Sequence, residues 1–228
     1  VKSTGGKKAH QRVKNRVVKG TMTISMGQEM KMSMTQYAAA PNKTYVEIQS
    51  DMMGNIKRGF DGEVAWMMHP MMGNQIITGE EGDAVEQQAF FYSDTEWREI
   101  YQKVECVERT QFGGMSCYKL VLTPKTGQEQ IAYFETDTWL QRGSETKMKN
   151  PMGEMTIVAT MKEYKEVDGL LIPRRIEQTV NAGMMNQEIV ITFESIEHNV
   201  DMPKDRFDLP PEIAELVEDD APAPKSKK

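Results

Sequence analysis

Apolar and polar residues alternate along several separate segments of this chain, and this pattern restricts the fold more than any other feature. Side chains of a β-strand point to opposite faces in turn, so such a segment predicts a strand with one apolar and one polar face. The apolar positions of the clearest segments are Val18, Met22, Ile24 and Met26, then Met30, Met32 and Met34, then Met155, Ile157, Ala159 and Met161, and finally Ile189, Ile191 and Phe193.

Turn-forming residues separate these segments at the spacing of β-hairpins. The turn signals are Met26-Gly27, Pro41-Asn42, Asp61-Gly62, Gly73-Asn74, Gly113-Gly114, Thr126-Gly127, Asp168-Gly169 and Asn181-Ala182-Gly183. We therefore expect about eleven to thirteen strands, joined mostly as an antiparallel meander.

Helical patterns are scarce. They predict a helix over residues 5–14, a second over residues 80–91, and a short third one from Asp94, as N-cap, to Tyr101. A long one-sided sheet must cover its apolar face, and so few helices cannot cover a dozen strands. We considered a sandwich and a closed barrel, and we favour a mainly β fold in which a curved antiparallel sheet forms an incomplete β-barrel. The segment of residues 80–101 would act as a plug or lid over an apolar hollow.

Composition and motifs exclude several classes of function. The net charge is −6 and the isoelectric point is about 5.3, which argues against a basic nucleic-acid surface. No apolar stretch approaches the roughly 18 residues of a membrane-spanning helix. The three histidines are scattered, and neither a nucleophile elbow, a zinc-protease motif nor a phosphate loop occurs. We expect no enzymatic activity, no cofactor and no nucleic-acid partner.

The two cysteines flank a turn signal. If Gln111 and Phe112 formed a two-residue turn, Cys106 and Cys117 would lie directly across a hairpin from each other. The turn type decides the register, so a disulfide and two reduced thiols both remain open, and a disulfide would indicate an oxidising compartment.

Methionine is unusually frequent, with 19 residues against 7 phenylalanines and 3 tryptophans. Met22, Met30, Met32 and Met34 form a stripe on two strands that should pair. Flexible thioethers suit a surface that binds acyl chains, although ordinary core packing would explain the same stripe. The predicted ligand-binding residues of the cavity and lid are Met22, Met30, Met32, Met34, Trp66, Phe90, Phe91 and Trp97. The last three lie in the helical insertion, where they either anchor it or close over a ligand.

A second methionine cluster, residues 66–72, contains His69 and invites a copper(I) site, because soft thioethers select that ion. A strand would place Met67 and Met68 on opposite faces, so we favour a hairpin tip or hydrophobic rim and expect no metal. The doublets Met52-Met53 and Met184-Met185 also lie near turns and indicate rims.

Two arginines fall on the apolar parity of their strands. Arg58 shares it with Ile56 and Phe60, and Arg174 shares it with Ile176 and Val180. Either arginine could contact a polar headgroup or pair with an inward carboxylate.

Several short groups of residues, in this order along the chain, resemble one known family. They are Ser3–Ala9 with Val17–Thr23, Gly59–Trp66, Cys117–Leu120, Tyr164–Pro173, and Ile196–Val200 with Phe207 and Pro210. Over nearly all of Thr4 to Pro210 the chain resembles the bacterial outer-membrane lipoprotein-sorting group of LolA/LolB-like proteins, in its broad sense rather than the classical carrier. The resemblance implies an incomplete antiparallel β-barrel with a helical lid, and periplasmic carriage of a lipid or an acylated protein. The methionine content is the departure, since classical carriers use more aromatic and aliphatic residues.

Together these observations predict a non-enzymatic lipid-binding or transport protein of the periplasm or cell envelope. Its partners would be a lipid or acylated protein and an envelope membrane protein as donor or acceptor, and we expect a monomer. The alternatives are a methionine-rich extracytoplasmic copper-binding module and an accessory domain of a larger envelope protein. The chain begins at Val1 without a signal peptide, which we expect to have been removed. We expect one domain over residues 1–210 and a disordered tail, first acidic and then rich in proline and lysine, over residues 211–228, in which Glu212 to Val217 could form a turn of helix.

Overall fold

A single sheet of 13 strands dominates the fold. The computed structural model describes residues 1–25, 28–150, 153–183 and 185–220. The strands are β1 (Asn15–Ser25), β2 (Glu29–Ala39), β3 (Lys43–Ser50), β4 (Gly54–Phe60), β5 (Ala65–His69), β6 (Gly73–Ile77), β7 (Tyr101–Phe112), β8 (Met115–Pro124), β9 (Gln130–Glu135), β10 (Gln141–Asn150), β11 (Gly153–Val167), β12 (Leu170–Ala182) and β13 (Met185–His198). The helices are α1 (Lys7–Arg12), α2 (Gly79–Ala89), α3 (Trp97–Ile100) and α4 (Pro211–Asp220), with a short 3-10 turn at Lys2–Thr4.

The strand order shows two meanders joined through the first and last strands. It is β6-β5-β4-β3-β2-β1-β13-β12-β11-β10-β9-β8-β7, and all neighbours are antiparallel. The sheet is curved and does not close, since β6 and β7 are its two edges. The predicted mainly β fold, an incomplete antiparallel barrel with short helices, is confirmed.

The connection between the two edge strands carries α2 and α3. We call residues 78–100 the bridging segment, because it leads from β6 to β7 across the open side of the sheet. Val85 and Ala89 of α2 pack in one buried cluster with Phe60, Ala65 and Ile77 of the sheet. We call the sheet face that bears this cluster the inner face and the opposite one the outer face.

Hairpin turns alternate between the two ends of the barrel. One end carries α1 and the turn at Pro41, and we call it the α1 end. At the other end, the β3–β4 and β5–β6 turns lie side by side, with a Cβ on Gly54 placed 3.1 Å from the Pro70 ring. Met52, Met71 and Met72 of these turns are 77%, 78% and 56% exposed, so this methionine end has a hydrophobic rim, as predicted for Met52 and the 66–72 cluster. Met26-Gly27 and Met184 lie outside the described residues.

The helices differ from expectation in two places. The third helix begins at Trp97 with Glu96 as its N-cap, so the prediction of Asp94 as the cap is wrong. The helical turn considered for Glu212 to Val217 is part of a longer helix, α4, which packs against β6, so the prediction of disorder is wrong as far as Asp220. Its Ile213 is fully buried, an anchor that the acidic composition of the segment conceals. Residues 221–228 lie outside the described residues. No helix of the described ranges is long and apolar enough to cross a membrane.

The cysteines lie out of register for a disulfide. Gly113 and Gly114 form the turn, both with positive φ, so Phe112 faces Met115 and Thr110 faces Cys117. Cys106 faces Leu120 instead. Both cysteines are free, Cys106 exposed and Cys117 buried. Two consecutive left-handed residues favour glycine and match the twist of a tight hairpin, so they decide between the two possibilities left open by the sequence.

Candidate functional site

The inner face is an apolar surface that runs across all the central strands. Side chains of directly paired residues lie on the same face of a sheet. Starting from the buried cluster, the pairing of each strand with the next therefore shows which residues lie on the inner face. They include Ile48 and Ile56, Met34, Met32 and Met30, Met22 and Ile24, Ile191 and Ile189, Ile176, Met161, Leu120 and Leu122. Most of these side chains are only half-buried. The face is therefore apolar but incompletely covered.

The methionine stripe lies on this face as predicted, although its members are covered to different degrees. Met22 pairs directly with Met32, and Ile24 with Met30. Met32 and Met34 are only 2% and 7% exposed, whereas Met22 and Met30 are half-buried. Met32 and Met34 thus belong to the packed core, and Met22 and Met30 lie where the apolar surface opens towards the methionine end.

Trp66 lies on the other side of the sheet. Its neighbour Ala65 belongs to the inner cluster, so alternation places Trp66 on the outer face. There it is 2% exposed and lies against Gly59, and its ring centroid is 5.9 Å from that of Tyr45. The guanidinium of Arg206 stacks on the same aromatic group, 5.4 Å from the Tyr45 ring. The prediction of Trp66 as a cavity residue is therefore wrong. Its neighbour Ala65 is the residue that points to the inner face.

Phe90, Phe91 and Trp97 lie in the bridging segment, all half-buried. The backbone N–H of Phe91 donates to the carbonyl of Pro41 at 2.9 Å, so the segment is attached to the α1 end directly after α2. Trp97 begins α3, and its ring is covered by the guanidinium of Arg98 at 4.0 Å. Whether these three residues contact a ligand stays a prediction.

The two sides of α2 are held differently. Towards β4–β6 its contact is the buried apolar cluster of Val85 and Ala89. Towards β9 it is polar, because Gln130 Nε2 donates to Gln87 Oε1 at 3.0 Å and Gln128 Nε2 donates to Glu80 Oε2 at 3.0 Å. Side-chain hydrogen bonds contribute about 1 kcal/mol each. The side towards β9 is thus held by side-chain hydrogen bonds, and the side towards β4–β6 by buried apolar contacts.

Two cavities lie on the strands that carry the stripe. The enclosed one has a volume of about 100 Å³ and is lined by Arg16, Val18, Gln36, Ala38, Ile172, Phe193 and Ile196. The larger one, about 460 Å³, is an open groove that also includes Thr21, Ser33 and Gln49. These three residues are consecutive cross-strand partners on the outer face. The lining of the groove also includes Met32, so it combines polar and apolar side chains.

Three arginines lie on the inner face. Arg58 pairs with Val46 and Met67, and Arg174 lies between Ile172 and Ile176 on the same parity. The third, Arg16, pairs with His198 and Ala38 and was missed by the sequence reasoning. Arg16 lies an even number of residues before Val18 and Met22 on the same strand, and this spacing could have placed it on their face. None of the three forms a salt bridge within the described ranges, so the inward carboxylate considered for Arg58 and Arg174 is not found among those residues.

Ionisable groups collect at the α1 end. His198 Nδ1 lies 3.0 Å from Asp168 Oδ2, and its side chain is 1% exposed. Burial lowers the pKa of His198, the charge of Arg16 acts in the same direction, and the hydrogen bond with Asp168 acts against both. Burial also lowers the pKa of His10, against the nearby charge of Asp94. His10 Nε2 lies 3.1 Å from Thr4 Oγ1, and His10 Nδ1 lies 3.8 Å from Asp94 Oδ2.

The Nδ1 atom of His69 is engaged by the backbone of its own turn. His69 Nδ1 accepts the backbone N–H groups of Met71 and Met72 at 3.1 and 3.3 Å, which completes a turn. Among the residues that the structure describes, no three His, Cys, Asp or Glu side chains gather at a metal site.

Three solved structures share this fold at low sequence identity. A DUF1329 family protein from Desulfovibrio piger is 14% identical with a TM-score of 0.60, over 88% of this chain and 94% of that one. A putative outer membrane lipoprotein-sorting protein domain from Vibrio parahaemolyticus is 10% identical with a TM-score of 0.60, over 88% and 93%. A LolA superfamily protein from Nitrosomonas europaea is 13% identical with a TM-score of 0.62, over 88% and 94%.

Sequence comparison gives a family but no further relative. A search of curated proteins found no match. A family model with the description "Uncharacterized protein" matches residues 52–210, which is more than half of the chain. The chain therefore belongs to the family that this model describes, and its fold is that of the LolA-like lipoprotein-sorting proteins.

Proposed function

We propose that the protein is a non-enzymatic carrier of the bacterial cell envelope that holds the acyl chain of a lipid or acylated protein against its inner face. The observation that carries the proposal is the half-buried state of the inner apolar face, from Met22 and Met30 to Ile189 and Ile191. A folded protein that leaves its largest apolar face partly uncovered gains free energy by burying a ligand there. The fold shared with the putative outer membrane lipoprotein-sorting protein domain from Vibrio parahaemolyticus supports this direction.

Loading requires α2 to move. The enclosed cavity of about 100 Å³ is smaller than the roughly 300–1,000 Å³ of ordinary ligand pockets. The weaker, polar side of α2 faces β9 through Gln87 and Glu80. Separation there would open the hollow while Val85 and Ala89 keep the helix attached to β4–β6. A ligand that has entered and contacts both the sheet and α2 shifts the population back towards the closed form.

The primary experiment is lipid extraction from the purified protein followed by mass spectrometry, combined with binding of a fluorescent fatty-acid probe. We expect acyl-chain lipids to copurify. In a series of probes of increasing length, each added methylene should contribute about 0.8 kcal/mol, or about fourfold in affinity. Binding that does not depend on chain length, or no binding at all, would overturn the proposal.

A pair of adjacent substitutions provides the matched control. Met22→Asp places a carboxylate on the inner face, and Thr23→Asp places the same group on the outer face of the same strand. Both positions are half-buried, so both variants should fold. We expect Met22→Asp to weaken probe binding at least about tenfold, because an acyl chain would have to desolvate the charge, and Thr23→Asp to leave binding unchanged.

A further inference from the structure

Arg16 is a half-buried cation whose Nε is buried without a hydrogen-bond partner. It lies on the inner face at the α1 end, where its cross-strand neighbours are His198 and Ala38. Within the described ranges it forms no hydrogen bond or ion pair, and its Nε is completely buried. The Phe91 ring faces the guanidinium, with its centroid 5.7 Å from the guanidinium carbon, but an aromatic ring does not neutralise the charge. A buried charge that is not paired is costly, so this position calls for an anion.

Neighbouring groups are also unpaired. Arg174 Nη1 and His198 Nε2 are buried without a hydrogen-bond partner in the same part of the structure. Their other nitrogens are satisfied, because Arg174 Nη2 donates to the carbonyl of Glu194 and His198 Nδ1 contacts Asp168. The pKa of Arg16 is lowered by burial, and the exposed carboxylate of Asp94 only partly offsets this. The arginine nitrogens are donors only, so the α1 end has buried donors without acceptors.

The enclosed cavity of about 100 Å³ lies directly at Arg16. Arg16 and Gln36 form its polar wall, and Val18, Ile172, Phe193 and Ile196 form its apolar walls. The volume is sufficient for a carboxylate with a few methylenes. Along β1, β2 and β13 the next inner-face positions are Gly20 and Met22, Met34 and Met32, and Ile191 and Ile189. A chain that starts in the cavity therefore continues along the methionine stripe.

We propose that this cavity is a headgroup site, in which Arg16 and Gln36 bind the carboxylate of a fatty acid whose tail runs along the inner face towards the methionine end. The proposal rests on the proposed carrier function for the tail and names the class of ligand. The ligand is an anionic single-chain acid, oriented with its headgroup at the α1 end.

The test compares palmitate with methyl palmitate, which has the same chain and no charge. We expect the wild-type protein to bind palmitate about 10- to 100-fold more tightly, the range expected for hydrogen bonds to a charged group. Arg16→Gln should remove this preference and leave the affinity for the ester unchanged. Arg58→Gln, at the inner-face arginine outside the cavity, is the matched control and should retain the preference.

A second measurement does not require α2 to move. Hexanoate is short enough to fit the cavity more closely than a long chain, so it should raise the melting temperature of the wild-type protein. Hexanol should not raise it, and Arg16→Gln should abolish the effect of hexanoate.

If palmitate and its ester bind equally, the headgroup site is wrong and the carrier function stands. If hexanoate acts through Arg16 but neither long-chain ligand binds, the carrier function is wrong and the anion site stands. If no acid, long or short, binds, both are overturned. The wild-type comparison decides even if Arg16→Gln does not fold.

Discussion

At the scale of single residues, a buried histidine lies between two charged side chains at the α1 end. His198 is almost fully buried between Arg16 on the neighbouring strand and Asp168 on the β11–β12 turn. Its pKa is held below its ordinary value of 6.5 by burial first and by Arg16 second. The folded protein therefore disfavours the protonated imidazole more than the unfolded chain does.

This imbalance predicts how stability depends on pH. The unfolded chain takes up a proton on this histidine near pH 6.5, and the folded protein does so only at lower pH. The free energy of unfolding should thus be highest above pH 6.5 and should fall as pH is lowered from there to the folded pKa. Urea unfolding at pH 5.0–7.5 measures this dependence. His198→Gln should flatten the decline, and His69→Gln, in a turn at the other end of the barrel, should retain it. An unchanged slope in His198→Gln would contradict the prediction.

The face on which a residue lies was predictable where apolar and polar residues alternate regularly. The prediction failed where the alternation is shifted by one residue. Met22 and Met32 were placed on one face and paired as expected, and Arg58 and Arg174 were correctly placed on the inner face. Trp66 was misassigned because chemical character suggested a binding residue, whereas its strand parity puts it outside. The separation of Cys106 from Cys117 depends on which two residues form the turn, and only the left-handed backbone of Gly113 and Gly114 decides that.

At the scale of elements, α2 is a short helix with one apolar and one polar attachment. Its existence followed from the spacing of Val85 and Ala89, and its bounds, Gly79–Ala89, agree with the prediction to within two residues. The hydrogen bonds of its other side, from Gln130 and Gln128, join positions more than 40 residues apart. No local pattern predicts partners so far apart, so the hydrogen bonds of this side of α2 could not be predicted from the sequence.

Two adjacent glutamines test the proposed opening. Gln87 accepts from Gln130, and Gln88 is exposed. Gln87→Ala should remove about 1 kcal/mol of attachment and increase amide exchange over residues 79–91 about fivefold, with the exchange of β1 and β13 unchanged. Gln88→Ala should change neither. Hydrogen-exchange mass spectrometry with and without bound lipid makes the comparison, and we expect lipid to slow exchange in this segment. Equal and high protection in both states would mean that α2 is a fixed plug.

At the scale of the whole molecule, one strand pair joins the two meanders. β1 pairs with β13 from Arg16 opposite His198 to Ser25 opposite Glu188, with a bulge where Lys19 faces Ser195 and Gly20 faces Phe193. Gly20 permits this pairing, because a Cβ there would lie 2.1 Å from the carbonyl oxygen of Thr192. The oxygen belongs to the backbone, so any side chain at this position pushes β13 away.

Gly20→Ala should therefore destabilise both halves of the sheet together. Forced overlap of this kind costs about 1–3 kcal/mol, which corresponds to a decrease in melting temperature of roughly 2–12 °C for a domain of this size. Thr21→Ala, the next residue, adds no new atom and should have little effect. Thermal unfolding followed by circular dichroism gives the melting temperatures, and hydrogen exchange shows where protection is lost. Faster exchange in only one meander would contradict the role of this pair as their junction.

The strand order also has a consequence for biogenesis. β1 is made first and β13 last, and residues 182 positions apart in the chain, Arg16 and His198, face each other. Each meander can form from neighbouring hairpins, but the edge of β1 stays bare until the final strand is synthesised. A chain interrupted before that strand would present an open strand edge that invites association with other chains. Only a chain that includes β13 can therefore cover the edge of its own first strand.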